Sequence, residues 1–278
     1  MTNKLKVNNT SIKALLIAAP FAFAASNASA GAWVAEKGSG YAKLGYASYD
    51  ADKYKGNNPT FESFKSDNVS FYGEYGLGNN LALYGSQLFQ SYDQSDSKDG
   101  KSSASGLSDT ELGIKYQWQA NPFVLSTSFL VKAPLFYKAE DGLGNHQVDY
   151  EARALIGKSL NEYGYFGLEM GYRLRAGAPS DEYRYLVEYG FDINKNLYFR
   201  TKLDGTLSAK NSDTPDTINT NLSNPLEFDV GKLELTTGWK FDNKAMKGYG
   251  LEFTFTREIY GENVLQGNRF ELALTKVF

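Results

Sequence analysis

Charged side chains occupy every second position in several segments in the middle of the chain. Across residues 149–204, twelve of them, Asp149 included, comprise six acids and six bases, so the charges cancel. Such residues either pair across neighbouring strands and fill a narrow interior or line a path for a solute. Without Asp149 and with three residues from an earlier segment, the fourteen candidates to line such an interior or path are Asp109, Glu111, Lys115, Glu151, Arg153, Glu169, Arg173, Arg175, Glu182, Arg184, Glu188, Arg200, Lys202 and Asp204. A channel for acidic sugars would carry an excess of arginine, which this set lacks.

Groups that could perform catalysis are scarce. The 278 residues contain no cysteine and one histidine, which excludes thiolate nucleophiles, cysteine zinc sites, disulfides and histidine-rich metal centres. A lipid hydrolase needs a serine activated by a histidine, and the candidate base, His146, lies in a predicted loop. Asp93, Asp96 and Asp99 lack the spacing of a calcium loop. We therefore expect no enzyme activity, no metal and no cofactor.

The segments that carry these residues alternate between apolar and polar positions. Within 164–175, Met170 and Leu174 fall on one face, and Glu169 and Arg173 on the other. Alternation with period two over about ten residues predicts strands that present one apolar and one polar face. Twelve strands are predicted near residues 39–49, 68–77, 81–92, 108–118, 123–132, 147–156, 164–175, 182–191, 197–207, 227–241, 249–259 and 268–278.

Long and short connections alternate between these strands. Long ones are predicted at 50–67, 93–105, 133–146 and 208–225, with shorter members at 176–181 and 260–267. Between them fall short ones at 78–80, 119–122, 161–163, 192–196 and 242–248. Outer-membrane barrels have this pattern, with tight periplasmic turns, longer external loops and an even strand number. The sequence predicts an all-β, transmembrane antiparallel β-barrel of about 12 strands over residues 31–278.

The first thirty residues have a different character. Lys4, Lys6 and Lys13 are followed by an apolar run at 14–25 and by a small-residue site at 28–30. This order predicts a secretory signal peptide over residues 1–30, cleaved before Gly31. Its removal leaves 26 basic and 32 acidic side chains, a formal charge of −6. An acidic chain argues against nucleic acid as a partner.

The end of the chain and its aromatic residues point to the outer membrane. Apolar residues alternate up to Phe278, which resembles the signal read by the barrel-assembly machinery, although Lys276 departs from it. Aromatic residues near strand ends predict girdles at the membrane interfaces: Tyr46, Tyr75, Tyr116, Trp118, Tyr172, Tyr189, Trp239, Phe241 and Tyr249. We expect the cell outer membrane as the location, and its lipids, lipopolysaccharide and the assembly machinery as partners.

Five short segments within residues 40–210 resemble outer-membrane proteins of the phenol meta-degradation pathway. They are 106–118 (GLSDTELGIKYQW), 131–134 (VKAP), 148–153 (VDYEAR), 171–175 (GYRLR) and 178–182 (APSDE). The resemblance implies a transporter that passively admits a small hydrophobic or aromatic solute, and it assigns no substrate-binding residue. The alternatives are a structural or loop-displaying barrel without transport and, less favoured, a lipid hydrolase.

Overall fold

The computed structural model describes residues 31–213 and 221–278, which form one closed antiparallel barrel. Each strand pairs with its neighbours in sequence, and the last pairs with the first. The twelve strands are β1 Gly40–Lys55, β2 Phe61–Gly78, β3 Leu81–Asp96, β4 Gly100–Gln119, β5 Val124–Ala133, β6 Asp149–Ser159, β7 Tyr165–Arg175, β8 Glu182–Asp192, β9 Leu197–Ser208, β10 Asp229–Lys240, β11 Tyr249–Glu262 and β12 Val264–Val277. The predicted twelve-stranded barrel is confirmed, whereas the predicted signal peptide lies outside the described residues.

In the part of the chain that the structure describes, helix is confined to single turns. The described residues contain three 3-10 turns, at Ala139–Asp141, Asn161–Tyr163 and Lys244–Met246. Within this part of the chain, no helix has the length and apolar character needed to cross a membrane.

The outer surface of the barrel carries a belt of exposed apolar side chains. In β7, Met170 and Leu174 are 63% and 49% exposed, whereas Glu169 and Arg173 point inward and are buried. Exposure of so continuous an apolar surface to water is unfavourable in free energy. The belt is therefore suited to contact with lipid. Other members of the belt are Leu44, Val69, Phe71, Leu83, Leu112, Ile114, Phe129, Phe253, Phe270 and Leu272.

Aromatic side chains border this belt. Tyr116 and Trp118 pack edge to face with ring centroids 4.6 Å apart, as do Tyr172 and Tyr183 at 5.2 Å. The ammonium of Lys276 lies 3.9 Å from the centre of the Tyr249 ring, where a cation is attracted to the aromatic face. Lys276 thus ends at the rim of the barrel, which explains how the last strand accommodates a charge in an apolar series.

Two of the predicted long loops are wrong, because strands occupy most of their length. β1 and β2 are joined by residues 56–60 alone, and β3 and β4 by residues 97–99. At the end of β11, the predicted connection 260–267 reduces to Asn263. We call this end of the barrel the loop end, and the opposite end, where β1 begins and β12 ends, the terminal end.

The strand extensions at the loop end rise above the apolar belt. Their outward side chains are polar, as shown by the ion pair between Lys65 and Asp50 at 3.2 Å. Their inward side chains include Phe64, which is fully buried and stacks on Tyr92 with centroids 5.6 Å apart. Because their outward positions are polar, these segments have the composition of loops. They nevertheless continue the hydrogen-bonded pairing of the strands.

The described residues of the two long connections, 134–148, 209–213 and 221–228, fold over the loop end of the lumen. The carbonyl of Leu143 accepts a hydrogen bond from Ser108 Oγ at 2.7 Å. Asn221 is fully buried, and its Nδ2 donates to the carbonyl of Gly142 at 2.7 Å. Leu222 completes an apolar cluster with Ala51, Phe64, Tyr92 and Leu265. The loop end is therefore covered by chain that packs against the tall wall formed by the strand extensions.

Candidate functional site

The inward face of strands β4, β6 and β7 carries a continuous row of ion pairs. Glu151 lies at its centre and binds Arg153 Nε through one oxygen and Arg173 Nε, at 2.6 Å, through the other. Arg153 Nη1 continues to Glu169 at 2.9 Å, and Arg173 Nη2 to Glu111 at 3.1 Å. Pairing across adjacent strands follows from the antiparallel register, which places Glu151 opposite Arg173.

The row extends toward the loop end. Glu182 binds Arg175 Nη1 and Arg184 Nη1, each at 3.0 Å. Asp149, which is fully buried, binds Lys132 Nζ at 2.8 Å. Because a buried carboxylate without a cation is costly, each acid in this row is held by at least one base.

A bulge in β4 places Asp109 in the same region. The ladder between β3 and β4 shifts between Gln87 and Phe89, so Ser108 and Asp109 both lie near the lumen. Asp109 binds Lys132 Nζ at 3.0 Å and accepts a hydrogen bond from the hydroxyl of Tyr137 at 2.6 Å. It thereby ties the connection 134–148 to the inner wall.

A second group of ion pairs joins strands β8, β9, β11, β12 and β1. Lys202 binds Glu188 at 3.2 Å, and Arg200 binds Glu252 at 3.2 Å. Lys43 on β1 also reaches Glu252, at 3.2 Å. Sequence reasoning named Glu188, Arg200 and Lys202 but missed Lys43 and Glu252. The same alternation could have found both, because each lies between apolar neighbours in its strand.

The charged rows leave space between them. A cavity of 310 Å³, here called the terminal cavity, is lined by Gly31, Tyr84, Ser128 and apolar side chains such as Leu155. Its charged lining consists of five acids and five bases: Glu111, Glu151, Glu169, Asp204, Glu234, Lys115, Arg153, Arg173, Arg184 and Lys202. In the described part of the chain, no cation lies within ion-pair distance of Asp204 or Glu234. Most charged side chains of the interior thus form ion pairs, and they still leave an unfilled cavity.

Two further cavities continue toward the loop end. The central cavity, of 490 Å³, shares Tyr72, Glu111 and Lys202 with the terminal cavity. The loop-end cavity, of 200 Å³, shares Arg269 with the central cavity. Its other walls combine apolar and aromatic side chains with charged ones, as in Tyr49, Phe64, Leu222, Phe228, Lys232 and Glu258. Shared walls place the three cavities in series along the lumen.

Both mouths of this series are narrowed by chain. At the terminal end, residues 31–39 enter the barrel, and the backbone N–H of Val34 donates to Gln117 Oε1 at 3.0 Å. At the loop end, Asp181 accepts hydrogen bonds from the Arg175 backbone at 2.7 Å and from Asn211 Nδ2 at 3.0 Å. Although partial burial opposes it, these bonds and one from Tyr172 lower the pKa of Asp181. Asn211 thereby joins residues 209–213 to the connection 176–181.

The groups considered for catalysis or metal binding have structural partners. The backbone N–H of His146 donates to the hydroxyl of Tyr137 at 3.1 Å, and its ring packs edge-on against that tyrosine. Asp96 closes the turn after β3 by accepting from the backbone N–H of Lys98 at 2.8 Å and of Asp99 at 3.1 Å. Within 31–213 and 221–278, no three histidine, cysteine, aspartate or glutamate side chains are grouped to hold a metal.

Similar solved structures are outer-membrane barrels. An outer membrane channel from Pseudomonas putida F1 has a TM-score of 0.68 at 16% identity, covering 88% of this chain and 97% of that one. The NanC porin gives 0.54 at 8% identity, with 84% and 98% covered. The beta domain of the Bordetella autotransporter BrkA gives 0.51 at 12% identity, with 86% and 99% covered. At these identities the likeness establishes the fold.

Comparison of sequences adds no family assignment. No protein-family model matches the chain, and no curated protein sequence matches it.

Proposed function

We propose that this protein is an outer-membrane channel that passively admits a small solute. The observation that carries the proposal is the series of three cavities, because their shared wall residues place them next to one another along the lumen. The terminal and central cavities, of 310 and 490 Å³, are as large as pockets for small drug-sized ligands, which measure about 300–1,000 Å³, and the loop-end cavity of 200 Å³ is smaller.

The charge of the route supports a solute without strong charge of one sign. Five acids and five bases line the terminal cavity, so neither anions nor cations are favoured by net charge there. The loop-end cavity adds Phe64, Leu222 and Phe228 beside Lys232 and Arg269. This combination suits a hydrophobic or aromatic solute, as the family resemblance implies. The charged side chains in the same lining suit a polar group on that solute.

The orientation and partners follow from the two ends. The terminal end faces the periplasm, because both flanks of the barrel, Gly40 and Phe278, meet there through paired backbone hydrogen bonds. The polar strand extensions face outward among lipopolysaccharide headgroups. We expect the barrel-assembly machinery to read the last strand, and the acidic character of the chain argues against nucleic acid as a partner.

The alternative is a structural barrel whose ion pairs only stabilise the wall. The dense pairing around Glu151 and the chain over both mouths favour it, because each narrows the route. Transport and wall stability are compatible in one barrel, so the two functions differ in a single measurable property, the passage of ions and solutes.

Planar-bilayer recording of the refolded protein tests the proposal. We expect discrete conductance steps with weak selectivity between K⁺ and Cl⁻, and swelling of protein-containing liposomes in small polar solutes. Protein that migrates as a folded barrel when unboiled but gives neither current nor swelling would support the structural barrel instead. Lipid hydrolysis by the same preparation, lost in His146→Ala, would support the hydrolase; we expect none.

A further inference from the structure

Residues 31–39 form a fixed segment inside the terminal end of the barrel. Gly31 is buried, and its carbonyl accepts a hydrogen bond from Lys115 Nζ at 3.0 Å. The carbonyl of Ala32 accepts from Ser126 Oγ, and the Ala32 side chain, 2% exposed, packs against Val124 and Leu155. These contacts hold the first described residue deep in the lumen.

Glycines in the barrel wall leave room for this segment. The backbone N–H of Gly76 donates to the carbonyl of Ser39 at 2.9 Å, and a Cβ at Gly76 would overlap the carbonyl oxygens of Ala35 and Glu36. A Cβ at Gly157 would come within 2.6 Å of the ring of Trp33. The wall therefore leaves room for the segment at these glycines. A larger side chain at either position would force the segment to move.

A residue in the wall of the terminal cavity has a carboxylate oxygen with no hydrogen-bond partner among the described residues. Gly31 and Glu169 line the same terminal cavity. Glu169 is 4% exposed; its Oε2 binds Arg153 Nη1 at 2.9 Å, while its Oε1 is buried and accepts no hydrogen bond from the described residues. A buried anionic oxygen of this kind is costly, and a nearby donor or cation would relieve the cost.

We propose that cleavage before Gly31 creates a functional group of the channel, because the new α-ammonium of Gly31 enters the terminal cavity and becomes a partner of Glu169. The inference rests on the predicted cleavage site and on the channel function proposed above. In an uncut chain the same nitrogen is a neutral amide. Cleavage therefore adds one fixed positive charge to a cavity whose side-chain charges cancel.

Conversion of this one amine tests the inference. Protein starting at Gly31 is treated, unfolded, with pyridoxal 5′-phosphate, which transaminates an N-terminal glycine to a neutral aldehyde and spares lysines; it is then refolded into bilayers. Loss of a fixed cation from a narrow cavity is expected to shift the K⁺/Cl⁻ permeability ratio about twofold toward K⁺. A second protein that retains residues 28–30 moves the ammonium away and is expected to behave like the treated one.

Glu169→Gln provides the matched control for position. It removes the proposed partner, so the α-amine of the folded protein should react faster with an amine reagent at neutral pH than in the parent protein. Equal permeability ratios in treated and untreated protein, with equal amine reactivity in the parent and Glu169→Gln, would overturn the inference. Absence of current in every form would instead contradict the channel function, and a different first residue in protein isolated from outer membranes would contradict the cleavage site.

Discussion

Glu151→Gln is expected to make the channel anion-selective and to lower the free energy of unfolding by about 3 kcal/mol. Glu151 is 2% exposed and binds two guanidinium groups, those of Arg153 and Arg173. The substitution keeps the size of the side chain but removes its charge, so both arginines lose a partner and the terminal cavity gains net positive charge. Each arginine keeps one other acid, Glu169 or Glu111, which limits the loss.

Reversal potentials in a KCl gradient and urea unfolding in detergent measure the two effects. Glu140→Gln is the matched control, because Glu140 undergoes the same change of charge in an exposed position with only a long ion pair to Lys138. We expect Glu140→Gln to leave both quantities unchanged. If Glu151→Gln lowers stability but does not alter selectivity, the charged row stabilises the wall and does not face the ion path.

Deletion of Phe278 is expected to lower the amount of barrel in the outer membrane about tenfold, because the deletion removes both a closing contact and the predicted assembly signal. The Phe278 N–H donates to the carbonyl of Gly40 at 3.1 Å, and its own carbonyl accepts from the Gly40 N–H at 2.8 Å. Its ring stacks on Tyr75 with centroids 6.5 Å apart. These two backbone hydrogen bonds stabilise the closure of the barrel between β1 and β12 by about 1 kcal/mol each.

Phe278→Ala distinguishes the effect of the closing hydrogen bonds from the effect of the assembly signal. It keeps both backbone hydrogen bonds and removes the aromatic ring. Heat-dependent gel migration of outer-membrane fractions measures assembly in cells, and refolding into lipid vesicles measures it without the machinery. We expect Phe278→Ala to assemble poorly in cells and to refold normally in vesicles. Normal assembly of both variants in cells would show that the terminal phenylalanine is not recognised.

The strands that cross the apolar belt could be predicted because lipid and lumen impose opposite polarity on successive residues. Met170 and Glu169 show this contrast within one strand. The same rule fails above the belt, where water replaces lipid and outward residues such as Asp50 and Lys65 become polar. Strand and loop then have similar compositions, so the sequence predicts loops where β1 to β4 extend above the belt.

The cover over the two mouths could not be predicted, because it depends on contacts between residues distant in sequence. Asn221 and Leu222 follow a polar stretch and meet partners on β2, β3 and the connection 134–148. Gly31 and Ala32 precede the first strand and show no alternation. In each case the burial of a few residues is decided by the space that the closed barrel leaves, which no local pattern encodes.

Cysteine accessibility in the terminal cavity tests the proposed route most directly. The chain has no cysteine, so single substitutions give unambiguous labelling. Ser128 lines the terminal cavity, whereas the next residue, Phe129, faces outward and is 45% exposed. A membrane-impermeant, water-soluble thiol reagent is expected to reduce the single-channel current of Ser128→Cys by about half or more and to leave Phe129→Cys unchanged. Undiminished current through Ser128→Cys whose modification is confirmed by mass spectrometry would contradict a route through this cavity.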